Sequence, residues 1–130
     1  MTQKRLTGLE LEIMEHIWDM GDEFAVRDVL ERAYPAGEKA YTTVQTVMNN
    51  LCEKGFLERR KVGPVNLYRL AVPRREVVRA ETEGFLQRLF DGSSLSLVNY
   101  LIGKDMMTED ELKRLEELLR QRSEGTEETS

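Results

Sequence analysis

A mainly α-helical fold carrying one small β-hairpin is what this sequence predicts, and three features predict it. Apolar residues recur at helical spacing in three short blocks between residues 6 and 54. The spacing changes to period two between residues 56 and 70, across a Gly-Pro pair. It returns to helical spacing from residue 74 onward. The 130 residues suit one domain, or a small domain with an appended oligomerisation segment.

The first helix is read in LTGLELEIMEHIWDM, residues 6–20. Leu9, Ile13, His16 or Ile17, and Met20 form its stripe, widened by Leu6 and Met14. Thr7 and Glu10 have the spacing of a capping box, and Gly21-Asp22 stops the helix. Residues 25–34 give a second helix with Val26, Val29, Leu30 and Ala33 inward, closed by Pro35-Ala36-Gly37. Residues 42–54 give a third, with Val44, Val47, Met48 and Leu51 inward and Gly55 at the left-handed cap. Residues 56–62 and 65–70 read as two strands joined by Gly63-Pro64. Pro73 opens a helix over about 74–90, which Asp91-Gly92-Ser93 breaks. Residues 94–102 form a short apolar helix ended by Gly103. Thr108 and Glu111 make a second capping box before a last helix carrying Leu112, Leu115, Leu118 and Leu119. Residues 123–130, SEGTEETS, lack apolar side chains and are expected to be a disordered acidic tail.

Composition removes several functions. No apolar run approaches the roughly 18 residues of a membrane span, and the first residues have no secretory apolar segment. A cytoplasmic protein is expected. The single cysteine, Cys52, excludes an internal disulfide or a thiolate-rich metal centre, and the single histidine, His16, leaves no set of zinc ligands. Both are expected in structural roles, as is Trp18, and no cofactor is expected. Neither a phosphate-cradling glycine loop nor a nucleophile–base constellation is visible, so the chain does not read as an enzyme.

The net charge of −5 speaks against a nucleic-acid partner only until its distribution is read. Residues 1–75 carry 12 Lys/Arg against 11 Asp/Glu, net +1. Residues 76–130 carry 7 against 13, net −6. Between residues 40 and 75 lie seven basic groups and two acidic ones. Three helices followed by a hairpin is the element order of a winged helix-turn-helix, here assigned to residues 1–72. The outward side of its third helix holds Thr42, Thr43, Gln45, Thr46, Asn49 and Asn50, amides and hydroxyls suited to base edges and phosphates in a major groove. Lys54, Arg59, Arg60, Lys61 and Arg69, on the flank and hairpin, are expected to meet phosphates. The competing reading is a winged-helix protein-interaction module that touches no nucleic acid.

Residues 73–122 are read as a helical dimerisation region. Phe85, Leu89, Phe90, Leu97, Val98, Leu101, Ile102, Leu112, Leu115 and Leu119 are too many apolar side chains for about 50 residues to bury alone, and a two-fold partner would cover them.

The stretch AYTTVQTVMNNLCEKGFLERRKVGPVNLYRL at 40–70, with LTGLELEIMEHIW at 6–18, resembles the penicillinase-repressor (BlaI/MecI/CopY) family of winged-helix repressors. Thr42-Thr43-Val44 and Glu53-Lys54-Gly55-Phe56 are the most specific marks. The resemblance implies a homodimeric transcriptional repressor of an inverted-repeat operator in double-stranded DNA. It places Thr42, Thr43, Gln45, Thr46, Asn49 and Asn50 at recognition-helix positions, with the C-terminal helices dimerising. It also implies that a membrane-bound sensor metalloprotease cuts between Asn99 and Tyr100. Asn50 stands where the family commonly has Arg, which removes a guanine-reading side chain. The C-terminal Cys-x-Cys pairs of copper-responsive members have no counterpart in this chain.

Overall fold

The computed structural model describes residues 5–129, with side chains to residue 125. Helices α1 (Gly8–Ile17), α2 (Val26–Ala33) and α3 (Tyr41–Glu53) precede strands β1 (Leu57–Val62) and β2 (Val65–Leu70). Helices α4 (Arg74–Phe90), α5 (Ser94–Gly103) and α6 (Glu109–Thr129) follow.

Local chemistry sets the ends of these elements. Glu10 N–H donates to Thr7 Oγ1 at 3.2 Å, and Thr7 N–H donates to Glu10 Oε1 at 2.8 Å, so the expected capping box starts α1. Ala25 has no side-chain acceptor, and α2 starts with Ala25 N–H donating to Asp28 Oδ2 at 2.8 Å. Thr108 and Glu111 complete the second box ahead of α6. Gly55 takes φ 89°, the left-handed cap that α3 requires. Gly63 at φ 60° is followed by Pro64, whose ring holds φ negative. This is the sign order of a type II′ turn, and its twist matches that of the flanking strands.

The chain divides into two compact units, the first ending at Glu81 and the second starting at Thr82. This moves the boundary from the expected 72/73 into α4. The physical reason is that the start of α4 belongs to the first core: Val77 is buried in it, and Leu6 N–H donates to Glu81 Oε1 at 3.2 Å. That core gathers Ile13, Met14 and Ile17 from α1, Val26 and Val29 from α2, and Val44, Val47, Met48 and Leu51 from α3. Phe24, Phe56, Leu57 and Tyr68 close it. Trp18 packs at its margin, with Arg74 over its ring at 5.3 Å.

The hairpin pairs antiparallel from Leu57↔Leu70 to Val62↔Val65. A third segment, unseen in the sequence, joins it. Phe24 N–H donates to Tyr68 O at 3.0 Å and Tyr68 N–H donates to Phe24 O at 2.8 Å, a one-residue bridge beside β2. Period two then sorts the side chains. Leu57, Arg59 and Lys61 share one face with Leu70, Tyr68 and Asn66. Glu58, Arg60 and Val62 share the other with Arg69, Leu67 and Val65.

The second unit has no buried side chain among its described residues. Ser96 N–H donates to the N-cap Ser93 Oγ at 3.1 Å to start α5. Helix α6 corrects the expected disordered tail, because the backbone stays helical through Thr129. Residues 120–129 contain no proline, and Gly125 costs only about 1 kcal/mol relative to alanine. Ser130 lies outside the described residues.

Lys54, at the end of α3, reaches back to α1. Its Nζ donates to Glu10 Oε1 at 2.6 Å and to Arg5 O at 3.0 Å. The pair is largely withdrawn from water, with side-chain exposures of 20% for Lys54 and 5% for Glu10. Burial raises the Glu10 pKa, but the bonds from Lys54 and Thr7 outweigh it and hold the carboxyl below its usual range. Removing one partner leaves a buried charge, so Lys54→Met should destabilise the first unit by about 3 kcal/mol. A carboxylate with a depressed folded pKa contributes stability above its ordinary range and loses it as pH falls through the folded value. Urea titrations between about pH 6 and pH 3 should therefore show a stability loss that is smaller in Lys54→Met.

Candidate nucleic-acid interface

Helix α3 turns Val44, Val47, Met48 and Leu51 into the core, and its opposite side faces outward. Thr42, Thr46 and Asn50 are exposed there, with Glu53 at the end of the same side. Thr43, Gln45 and Asn49 are half-buried. Asn50 projects freely, so the position that would carry an arginine presents a neutral carboxamide.

Asn49 differs from its neighbours. Its Oδ1 accepts from Arg59 Nη1 at 2.6 Å and from the Tyr68 hydroxyl at 2.8 Å. Tyr68 is completely buried, and burial pushes its phenol up, so the hydroxyl stays protonated as a donor. A side chain expected to face DNA thus spends its acceptor inside the protein.

The five cations expected to meet phosphates separate into three groups. Lys54 is corrected outright. Near the buried side of α3's last turn, it is committed to Glu10 rather than to the outward face. Arg60 and Arg69 lie on the hairpin face that carries Val62 and Val65. There Arg60 makes a fork to Glu23 at 2.6 and 2.7 Å, and Arg69 holds Glu58 at 3.0 and 2.9 Å. The Arg60 guanidinium holds the Glu23 carboxyl below the usual range. Arg59 and Lys61 lie on the other face with Tyr68 and Asn66. Lys61 alone of the five has no intramolecular partner among the described residues.

Sequence reading missed the opening beside this surface. A cleft between the starts of α2 and α3 and the hairpin turn is lined by Arg27, Tyr41, Gln45, Pro64 and Asn66. The Arg27 guanidinium sits 5.7 Å from the centre of the Tyr41 ring. Arg27 lies opposite the Val26/Val29 stripe, and Asn66 shares parity with Lys61. Those periodicities were the signals available for both.

Other singled-out residues carry less chemistry. Cys52 is half-buried, and burial pushes its thiol up, away from the reactive thiolate. His16 is half-buried on α1. Among the described residues no three His, Cys, Asp or Glu side chains gather as metal ligands, and no helix is long and apolar enough to cross a membrane.

In the second unit, Phe85, Leu89, Ile102 and Leu119 are exposed. Phe90, Leu97, Val98, Leu101, Leu112 and Leu115 are half-buried. Phe90 stands between Phe85 and Tyr100, with ring centres 5.8 and 6.0 Å away. Asn99 and Tyr100 lie within α5, both exposed.

Comparison with known proteins gives a family. The sequence profile described as Penicillinase repressor matches residues 6–121. The chain is 24% identical over 114 residues to the methicillin resistance regulatory protein MecI of Staphylococcus aureus strain N315, covering 88% of this chain and 92% of that one. It is 24% identical over 115 residues to the penicillinase repressor of Bacillus licheniformis, covering 88% and 89%. Among solved structures, the DNA-binding domain of the repressor BlaI aligns with a TM-score of 0.48 at 25% identity, covering 56% of this chain and 90% of that one.

Proposed function

Since the chain belongs to the penicillinase repressor family, we propose that it is a DNA-binding transcriptional repressor acting as a homodimer on an inverted-repeat operator. The observation that carries this reading is the outward side of α3. Thr42, Thr46 and Asn50 stand exposed there, and the hairpin brings Arg59 and Lys61 to the face it shares with Tyr68 and the Asn49 bond. A helix of this width fits a major groove, where hydroxyls and carboxamides pair with base edges and phosphates. The hairpin is then the wing, and its two cations supply backbone affinity without base choice.

Dimerisation has its own support. Leu89, Leu95 and Leu119 are each more than 60% exposed, and the second unit buries no side chain among those described. Apolar surface of that kind in a small helical unit calls for a partner, and a second copy is self-complementary through a two-fold. A dimer places two α3 helices on half-sites about 10 base pairs, or a multiple, apart. Cleavage between Asn99 and Tyr100 by a sensor metalloprotease would divide α5 near its middle and release the operator by separating the two copies.

Three measurements test these statements. Gel-shift titrations at several salt concentrations should give a negative slope of log affinity against log salt. Arg59→Ala and Lys61→Ala should each reduce that slope by about 1, whereas Arg60→Ala and Arg69→Ala, already paired with carboxylates, should each reduce it by less than about 0.5. No binding at any salt would support the protein-interaction reading instead. Sedimentation should give twice the chain mass for the native protein and a monomer for the double variant Leu89→Glu/Leu119→Glu. Incubation with the cognate protease should yield fragments ending at Asn99 and beginning at Tyr100; an intact chain would remove the proteolytic switch.

A further inference from the structure

We propose that Asn49 is a positioning residue and not a base reader: through Arg59 and Tyr68 its carboxamide oxygen clamps the wing to α3 and sets the spacing between the two surfaces that meet DNA. The DNA part of this proposal rests on the reading above; the clamp itself does not.

Hydrogen-bond capacity makes the case. A carboxamide oxygen has two acceptor sites, and here Arg59 Nη1 at 2.6 Å and the Tyr68 hydroxyl at 2.8 Å take both. Arginine has no acceptor, so the atom facing it is the oxygen and not the amide nitrogen. An asparagine that reads adenine must accept from the base's N6 amine while donating to N7. Asn49 has no acceptor left for that pairing. Reading adenine would require breaking two bonds, one of them to a completely buried hydroxyl and the other to a cation.

The same bonds tie together three consecutive elements. Asn49 is on α3, Arg59 on β1 and Tyr68 on β2, and Arg59 and Tyr68 are direct cross-strand partners. The hairpin is also attached at its base, through the Phe24 bridge on β2, and through the Arg60 fork to Glu23 on the opposite face of β1. The Arg59 bond to Asn49 is what holds the outer strand, β1, to the recognition helix at mid-length. The bond to Asn49 uses one of the five guanidinium N–H donors of Arg59, so the guanidinium can still meet a phosphate from a fixed position.

The test uses the full chain in two arms. In the first, without DNA, amide hydrogen exchange is followed across the hairpin. Asn49→Ala and Arg59→Met should each speed exchange between Arg59 and Tyr68 by about tenfold, with α1 unchanged, and Asn49→Asp, which keeps both acceptor sites, should restore protection. Arg59 is exposed, so Arg59→Met keeps the core intact even where Asn49→Ala fails to fold. Unchanged hairpin exchange in Arg59→Met overturns the clamp.

In the second arm, anisotropy is read with a pool of random-sequence duplexes about two helical turns long. Asn49→Ala should weaken binding by about fivefold in the native background and add nothing in the Arg59→Met background. Losses that multiply would mean that Asn49 meets DNA independently, and would overturn the proposal. Failure of the native protein to bind any duplex would remove the repressor reading, while the exchange arm still decides the clamp.

Discussion

Tyr68 is the residue on which the geometry of the first unit depends. Its ring is completely buried, its backbone pairs with Phe24, and its hydroxyl donates to Asn49. One side chain in a two-stranded hairpin therefore joins the core, the segment before α2, and the exposed helix. An isolated two-stranded hairpin is marginally stable in water, so this one needs such anchoring to hold a shape at all. With Tyr68 inward, pleat alternation dictates the remaining side chains. Arg59 and Lys61 are carried to the hairpin face that Tyr68 occupies, and Arg60 and Arg69 to the opposite one.

That parity decides which charges are available. Five cations within a short stretch look equivalent as a sum, but each meets a different neighbour. Glu23 and Glu58 neutralise the far face, and Glu10 takes Lys54 inward. Exposed pairs such as Arg60–Glu23 contribute little to stability. Their effect is on local charge: Arg60 and Arg69 on the far face are balanced by Glu23 and Glu58, whereas Arg59 and Lys61 share the face that carries Tyr68 and Asn66.

Much of the fold was legible because it is periodic. Val44, Val47, Met48 and Leu51 announced the buried side of α3, and the Thr7–Glu10 and Thr108–Glu111 boxes announced two helix starts. Other features were not legible, for physical reasons that differ. The Phe24 bridge is a single residue and has no period to detect. The boundary inside α4 follows from the burial of Val77, which looks like any other apolar residue of an amphipathic helix. The helical backbone past residue 122 continues α6 through a segment without apolar side chains, which a reading based on apolar content does not register. In the site, Thr42, Thr46 and Asn50 fall on the outward side as helical spacing requires. Asn49 lies on the same side by spacing, and only its long-range partners give it a different role. Lys54 stands apart for a related reason: it sits one turn past Asn50, close enough to the buried side to answer a carboxylate on another helix. The division of the hairpin cations could have been found from alternation alone, since Arg59 and Lys61 share parity and Arg60 does not.

The second unit is governed by the opposite condition. The first unit completes its core within one chain, whereas α5 buries none of its side chains and rests on contacts such as Phe90 with Tyr100. Helices that short are marginal in water without an apolar surface to pack on. Under the proposed dimer, the second copy supplies that surface, and folding of the unit is then inseparable from association. This also gives the proposed cleavage its leverage. A helix must open locally before a protease can seat its backbone, and opening costs least where burial is least. A cut at Asn99–Tyr100 would leave two pieces of α5 too short to hold a helix, so loss of association would follow from loss of structure and not from the removal of any one contact.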